Sequence, residues 1–330
     1  NWTNPAVRKE LKTISSFWLN KGVDGFRLDA IRYLVEEGGN LGQKDTSGTH
    51  GAMAELYAHA KKLKKDVLFV GEVWADMDTV ATYFKSDTHP GQVDSCFNFD
   101  LAGAIVEGVK THNFNKMNAV LEIALETYPK GAIDSIFLTN HDQDRIASVI
   151  GPKIPQLKLA ASVLLTFPGV PYIYYGEEIA MKGRKPDEMI RRPMRWDGTE
   201  MAGFTTAKRP WIRPESRPKP FTVTDMEKDE NSLLNHYKAF IRLRNRNIAL
   251  RRGTYKWVEA THPKVFAFLR QHKEQAVLVL HNFAPLPSEN VWVKEKLTPG
   301  KNIITGKPAG STVTLKPYET KIFTVTSTKK

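Results

Sequence analysis

Apolar positions over the first twenty residues recur at the spacing of a helix. Asn4 is placed to cap it, Pro5 suits its first turn, and Val7, Leu11, Ile14 and Trp18 form one stripe that Gly22 ends. The rhythm then shortens. Val23–Asp29 reads as a short buried strand whose body is Val23, Phe26 and Leu28, punctuated by Gly22 and Gly25. A polar, glycine-rich loop (Glu36–Gly51) leads to a helix near Ala52–Lys64. The same alternation returns as strand Val67–Glu72, helix Met77–Phe84, strand Val93–Phe99, helix Asn115–Thr127, strand Ile133–Thr139, helix Gln156–Thr166 and strand Val170–Tyr175. Strands alternating with helices over this length predict a parallel sheet with helical crossovers, and the apolar, β-branched and aromatic strands suit the buried type. No glycine-rich phosphate loop follows any strand. A doubly wound sheet and a barrel with missing members both fit.

Beyond Gly176 the pattern changes twice. Gly176–Asn231 is a long loop rich in Pro, Arg, Trp and Gly, of a length that usually carries function. Ser232–Leu250 predicts a helix with Leu233, Leu234, Tyr237, Phe240, Ile241 and Leu243 on its stripe. After Gly253 the period drops to two: Lys256–Val258, Val265–Arg270, Ala276–His281, Val291–Lys294 and Lys321–Thr326 predict a small antiparallel β domain. The expected division is 1–252 and 253–330, with the boundary near Arg251–Thr254.

Composition narrows the classes. A chain of 330 residues accommodates one large α/β domain and a small second one. Hydrophobic content of 41% and charged content of 25% are ordinary for a globular protein. No run approaches the ~18 apolar residues of a membrane span. The net charge of +12 suggests a nucleic-acid partner, but the cations are dispersed and carry no nucleic-acid motif, so none is expected. Lys61, Lys62, Lys64 and Lys65 read as a solvated helix end. Cys96, without a second cysteine, excludes an internal disulfide and is expected in the core. Asn1–Trp2 shows neither an initiator Met nor a signal peptide, so either the mature protein starts here or this is a piece of a longer chain.

Candidate chemistry lies at the strand ends. Three predicted parallel strands run into carboxylates: Asp29, Glu72 and Asp142. Arg27, two residues before Asp29, shares its face, and His141 precedes Asp142. Parallel strands would gather all three carboxylates at the carboxyl rim, where ligands bind. Gathered carboxylates repel and lose hydration, so stability does not select them. Cleavage of a glycosidic bond with retention uses two carboxyl groups about 5–5.5 Å apart, one an ionised nucleophile and one a protonated acid. Arg27 marks Asp29 as the ionised nucleophile. Drier surroundings behind Val70 and beside Trp74 mark Glu72 as the acid/base. Asp142 would grip sugar hydroxyls and distort the ring, with His141 donating a hydrogen bond.

These segments resemble the α-amylase family of glycoside hydrolases. G-V-D-G-F-R-L-D-A, V-G-E-V-W and L-T-N-H-D are similar to its strand-4, strand-5 and strand-7 motifs, and Gly169–Glu178 (G-V-P-Y-I-Y-Y-G-E-E) to its strand-8 motif. Arg191–Gly198 with Gly203–Phe204 resembles a loop of the oligosaccharide-cleaving branches, and Ser232–Asn245 the last barrel helix. The resemblance covers nearly the whole chain. It implies a (β/α)8 TIM barrel followed by a C-terminal antiparallel β-sandwich. It also implies Asp29 as nucleophile, Glu72 as proton donor and Asp142 as transition-state stabiliser, supported by Arg27 and His141. Three earlier barrel strands, an inserted loop domain and a D-x-x-x-N-H motif of the family have no counterpart here. The chain is therefore expected to hold barrel strands 4–8 and to need an N-terminal half of the barrel as partner, as a fragment or one half of a nicked or split enzyme.

Within the family, Ala30 resembles α-amylases, where many oligo-1,6-glucosidases have Val. The Arg191–Phe204 loop and Gly71–Trp74 resemble oligosaccharide-acting members, a mixture similar to the amylase group between oligo-1,6-glucosidases and neopullulanases. The expected substrate is an α-1,4-glucan or maltooligosaccharide. Arg32, where many amylases carry Lys, is a candidate sugar contact or an exposed arginine at a helix start. Trp74 is the foremost candidate for stacking on a sugar, followed by Trp196 and Trp211, whereas Tyr172, Tyr174 and Tyr175 read as packing. Asp144 and Arg145 are expected to pair locally. The resemblance implies no cofactor for the chemistry. It allows a structural calcium in the complete enzyme, with most ligands in the preceding half, and a secreted or cell-surface location ahead of a cytoplasmic one. Other readings are an oligo-1,6-glucosidase, α-glucosidase or glucanotransferase of the same family, separable by product analysis. A non-catalytic amylase-like binding subunit is opposed by the three retained carboxylates.

Overall fold

In a computed structural model, residues 1–151, 153–216 and 220–327 are described. The helix predicted at the start forms over Pro5–Asn20 (α1), with the Asn4 side chain accepting the Ala6 N–H at 2.9 Å. Gly22 leaves it with a left-handed backbone, φ 97°. The chain divides into two compact units, residues 1–101 with 119–136, and residues 102–118 with 137–330.

The first unit is built on Gly25–Leu28 (β1), Ser47–Leu63 (α2), Leu68–Gly71 (β2), Met77–Ala81 (α3) and Ser95–Phe97 (β3). Phe99–Thr111 (α4) and Asn115–Thr127 (α5) follow, each shared between the units in sequence, and Ile133–Ile136 (β4) completes it. The four strands are parallel in the order β1-β2-β3-β4, with Phe26 opposite Phe69, Val70 opposite Ser95 and Cys96 opposite Asp134. Gly25 is required by close approach, since a Cβ there would lie 1.9 Å from the Leu68 carbonyl oxygen. Phe69, Val73, Tyr83, Phe84, Met53 and Cys96 form the buried core beneath the strand ends, as expected for Cys96.

Three expectations for this unit are corrected. Helix α2 starts at Ser47 rather than near Ala52, because Thr46 caps it by accepting the Thr49 N–H at 3.1 Å. Helix α4 replaces the end of the predicted Val93–Phe99 strand, because the Asn98 side chain accepts the Leu101 N–H at 2.9 Å and turns the chain without a loop. The lysine cluster is not simply solvated. Lys61 donates to Asp94 at 2.8 Å and to the Val67 carbonyl at 2.7 Å, and Lys64 pairs with Asp24.

The second unit continues with Ile146–Val149 (α6), Ile154–Thr166 (α7), Val170–Pro171 (β5), Asp187–Ile190 (α8), Val223–Lys228 (α9), Leu233–Arg246 (α10) and Ile248–Arg252 (α11). Strand β5 is shorter than the predicted Val170–Tyr175. The buried Arg145 takes the Tyr175 carbonyl at 2.7 Å and the Ile190 carbonyl at 2.8 Å while lying over the Tyr174 and Tyr175 rings. Arg145 therefore does not pair with Asp144, which accepts from Arg184 and the Lys185 N–H instead. The long loop 176–231 carries α8 and α9, and its residues 217–219 lie outside the described residues. The predicted Ser232–Leu250 helix breaks at Asn247. That side chain donates to the Leu243 carbonyl at 2.6 Å and accepts from Gln275 at 2.9 Å, in competition with the helix ladder.

From Thr254 the strands are antiparallel: Thr254–Val258 (β6), Val265–His272 (β7), Gln275–Asn282 (β8), Ser288–Val291 (β9), Leu297–Asn302 (β10), Val313–Leu315 (β11) and Thr320–Ser327 (β12). They form a five-stranded sheet, β10-β12-β8-β7-β6, and a two-stranded sheet, β11-β9, around Leu278, Leu280, Val291, Trp292, Leu315 and Phe323. Strands β10 and β11 lie outside the sequence expectation: one contains Pro299–Gly300 and the other spans only Val313–Leu315. Arg270 on β7 donates to the Thr166 carbonyl at 2.7 Å, and His281 on β8 lies 3.1 Å from the Thr166 hydroxyl, tying both strands to the end of α7.

Candidate active site

Strand β1 delivers Arg27 and Asp29 to its carboxyl end, and strand β2 delivers Glu72. The ladder between them closes with the Glu72 N–H on the Leu28 carbonyl at 2.9 Å. One guanidinium then joins both carboxylates. Arg27 Nη1 donates to Asp29 Oδ1, and Nη2 donates to Glu72 Oε2 at 2.6 Å. The Glu72 carboxylate also accepts the Ala30 N–H at 3.2 Å. The expected contrast between the two carboxylates takes a different form. Arg27 does not single out Asp29, because alignment of β1 and β2 brings Glu72 within its reach. Access separates them: the Asp29 side chain is 77% exposed and that of Glu72 15%.

Trp74 lies 51% exposed, with its indole stacked on Phe99 at a centroid distance of 4.5 Å and an interplanar angle of 8°. Phe99 holds one face of the indole while half of the residue stays open to solvent. Arg32 departs from one of the two readings offered for it. It is 7% exposed, not an exposed arginine at a helix start, and its guanidinium is spent inside the protein. Nε donates to the Asp45 carboxylate at 3.0 and 3.2 Å, Nη2 to the same group at 2.5 Å, and Nη1 to the Trp74 carbonyl. Its guanidinium is thus held by Asp45 and the Trp74 carbonyl. Sequence reasoning missed Asp45 and Tyr83, whose hydroxyl donates to Asp45 at 2.8 Å. The loop around Asp45 has no periodicity to signal the pairing.

His141 and Asp142 belong to the second unit, on the segment after β4. Asp142 is held from two sides: His141 Nε2 lies 3.2 Å from one carboxylate oxygen, and Arg191 Nη2 donates to the other at 2.7 Å. Arg191 Nε also donates to the His141 carbonyl at 2.8 Å, so it fixes both residues. The sequence offered Arg191 only as part of a loop motif, since its partner lies 49 positions earlier. Arg191 further lines a cavity of about 420 Å³ with Tyr175, Trp196, Phe204 and Trp211. Tyr175 thus both packs and faces this cavity. Among the described residues no group of three or more His, Cys, Asp or Glu side chains is arranged to hold a metal ion.

Paired carboxylates on adjacent parallel strands, at the sheet end where ligands bind, are the arrangement that glycosidases of (β/α) fold use. Comparison with known proteins agrees. Residues 1–253 match the family described as the alpha-amylase catalytic domain. The chain is 34% identical to alpha-amylase 3 of Dictyoglomus thermophilum over 98% of its own length and 63% of that protein. It is 26% identical to an oligo-1,6-glucosidase of Halalkalibacterium halodurans, over 98% of this chain and 69% of that one. The crystal structure of the alpha-amylase from H. orenii matches with a TM-score of 0.78 at 30% identity, covering 98% of this chain and 65% of that one. The chain belongs to the α-amylase family of glycoside hydrolases. Its parallel strands and helices are part of the family's (β/α)8 barrel, and its antiparallel sheets form the C-terminal β-sandwich. It spans just under two thirds of the length of these two amylases. Among the described residues no helix is long and apolar enough to cross a membrane.

Proposed function

We propose that this chain carries the catalytic carboxylates of a retaining glycosidase that hydrolyses α-1,4-glucosidic bonds in starch, glycogen or maltooligosaccharides. The observation that carries the reading is the Arg27 guanidinium bonded to both Asp29 and Glu72, which brings a nucleophile and an acid to one point. Asp29, the more open group, attacks the anomeric carbon. Glu72, less exposed, protonates the leaving oxygen as that bond breaks. In the second half-reaction Glu72 takes a proton from water, the hydroxide attacks the anomeric carbon, and Asp29 leaves as the carboxylate. Asp142, braced by Arg191 and His141, binds sugar hydroxyls. The choice of α-1,4 linkages rests on Ala30 and on the higher identity to an alpha-amylase than to the oligo-1,6-glucosidase. The working unit in this reading includes the earlier barrel strands.

The test is covalent trapping in the full-length protein. A 5-fluoro-α-glucosyl fluoride, which slows breakdown of the intermediate, should add one sugar mass to the peptide containing Asp29, and maltooligosaccharide cleavage should release the α-anomer first. Asp29→Asn should abolish labelling and lower turnover by several orders of magnitude, since an amide cannot form the ester. Labelling on another carboxylate, or release of the β-anomer, overturns the assignment.

A further inference from the structure

We propose that Arg32, Asp45 and Tyr83 form a positioning relay that sets the acid/base Glu72 and the Trp74 ring against the Asp29 turn. The inference rests on the glycosidase reading and adds residues to it. The backbone ladder of β1 and β2 ends at Glu72. Past that point the chain diverges into the turn Ile31–Tyr33 on one side and Val73–Ala75 on the other. Besides the Arg27–Glu72 and Ala30–Glu72 bonds, Arg32 ties the two sides together by donating to the Trp74 carbonyl.

The far end of that tie is anchored in three stages. The Asp45 N–H donates to the Arg32 carbonyl at 2.8 Å while its carboxylate accepts Nε and Nη2, so the residue grips both the backbone and the side chain of Arg32. Asp45 adopts a left-handed backbone, φ 55°, to present both groups. Tyr83, fully buried in the core, donates its hydroxyl to Asp45 at 2.8 Å. The chain of contacts therefore runs from the core to the Trp74 carbonyl, two residues beyond Glu72. The charged and titratable groups around it include Tyr33, whose ring lies 5.9 Å from the Arg32 guanidinium carbon, His50, ring-packed on Tyr83 at 4.5 Å, Cys96 near Tyr83, and Asp76 near Arg32. Asp45 neutralises Arg32, which leaves Arg27 as the cation serving the two carboxylates.

A relay of this kind acts on proton donation, and that separates it from general support of the fold. In the full-length protein, Arg32→Met should slow cleavage of maltooligosaccharides, whose leaving groups need protonation, by roughly 100-fold, the scale of an ångström-sized misplacement. α-Glucosyl fluoride, whose leaving group needs little protonation, should lose less than about 5-fold. Asp45→Asn and Tyr83→Phe, which keep shape, should show the same contrast at smaller size, and they carry the test if Arg32→Met does not fold. Glu72→Gln is the reference and should show the largest contrast. Should Glu72→Gln slow both substrates equally, the assignment of the acid fails and the relay falls with it. Where Glu72→Gln shows the contrast but the relay variants slow both substrates equally, or neither, the relay alone is overturned.

Discussion

Ala30 holds a left-handed backbone, φ 43° and ψ 42°, directly after Asp29. For a residue with a Cβ this conformation costs roughly 1–2 kcal/mol. Its return is the N–H aimed at Glu72, 3.2 Å away, which a helical or extended backbone would point elsewhere. Ala30→Gly keeps that N–H and removes the strain, so it should stabilise the protein by about 0.5–1 kcal/mol in urea unfolding. Ala30→Val should destabilise it, because a β-branched side chain tolerates this backbone less well. A Gly variant less stable than the parent would show that the turn is not strained.

At the scale of elements, strands β3 and β4 enclose an acid with no part in the proposed chemistry. Asp134 lies opposite Cys96, accepts one hydrogen bond from Asn98 at 3.0 Å, and has its other carboxylate oxygen buried without a partner. Burial pushes its carboxyl up from 3.8 to about 7. Between those values the folded chain keeps a proton that the unfolded chain releases, so the stability present at low pH is lost as pH rises through about 7. Asp134→Asn removes the titration and keeps an acceptor for Asn98. Its melting temperature should match the parent near pH 4 and exceed it by several degrees at pH 8. Equal melting temperatures at both values would place the proton elsewhere.

For the whole molecule, two buried histidines of the second unit should respond to pH in the direction opposite to Asp134. In the second unit, burial lowers His281 from 6.5 to about 3 and His236, which also faces Lys158, to about 4. His281 sits between the hydroxyls of Thr166 and Thr320, and His236 lies 2.8 Å from the Ser162 hydroxyl. These rings stay neutral when folded but take a proton when unfolded below 6.5, so their stability is present above that value and lost as pH falls toward 4 and 3. Hydrogen exchange should show α7, β8 and α10 losing protection between pH 7 and 5. Strands β3 and β4 should lose protection, relative to their own low-pH level, between pH 5 and 8. Parallel loss in both sets would mean that another group governs the pH response.

The sequence by itself determined the strand–helix alternation, the change to antiparallel strands, and the strand ends that carry Asp29 and Glu72. These are local properties: apolar spacing, a cap such as Asn4, and the one-face rule that sets Arg27 beside Asp29. Short-range competition blurred the boundaries, as where Asn98 starts α4 at once and Asn247 breaks the last helix. Tertiary structure alone decided the partners. Arg32 lay 13 positions from Asp45 and 42 from Trp74, Arg191 lay 49 from Asp142, and Arg145 lay 45 from Ile190. A guanidinium makes several hydrogen bonds in fixed directions, and where it is buried, as at Arg32 and Arg145, it takes acceptors wherever the fold presents them. Spacing along the chain carries no record of that choice, so each arginine's role became legible only once the elements were packed.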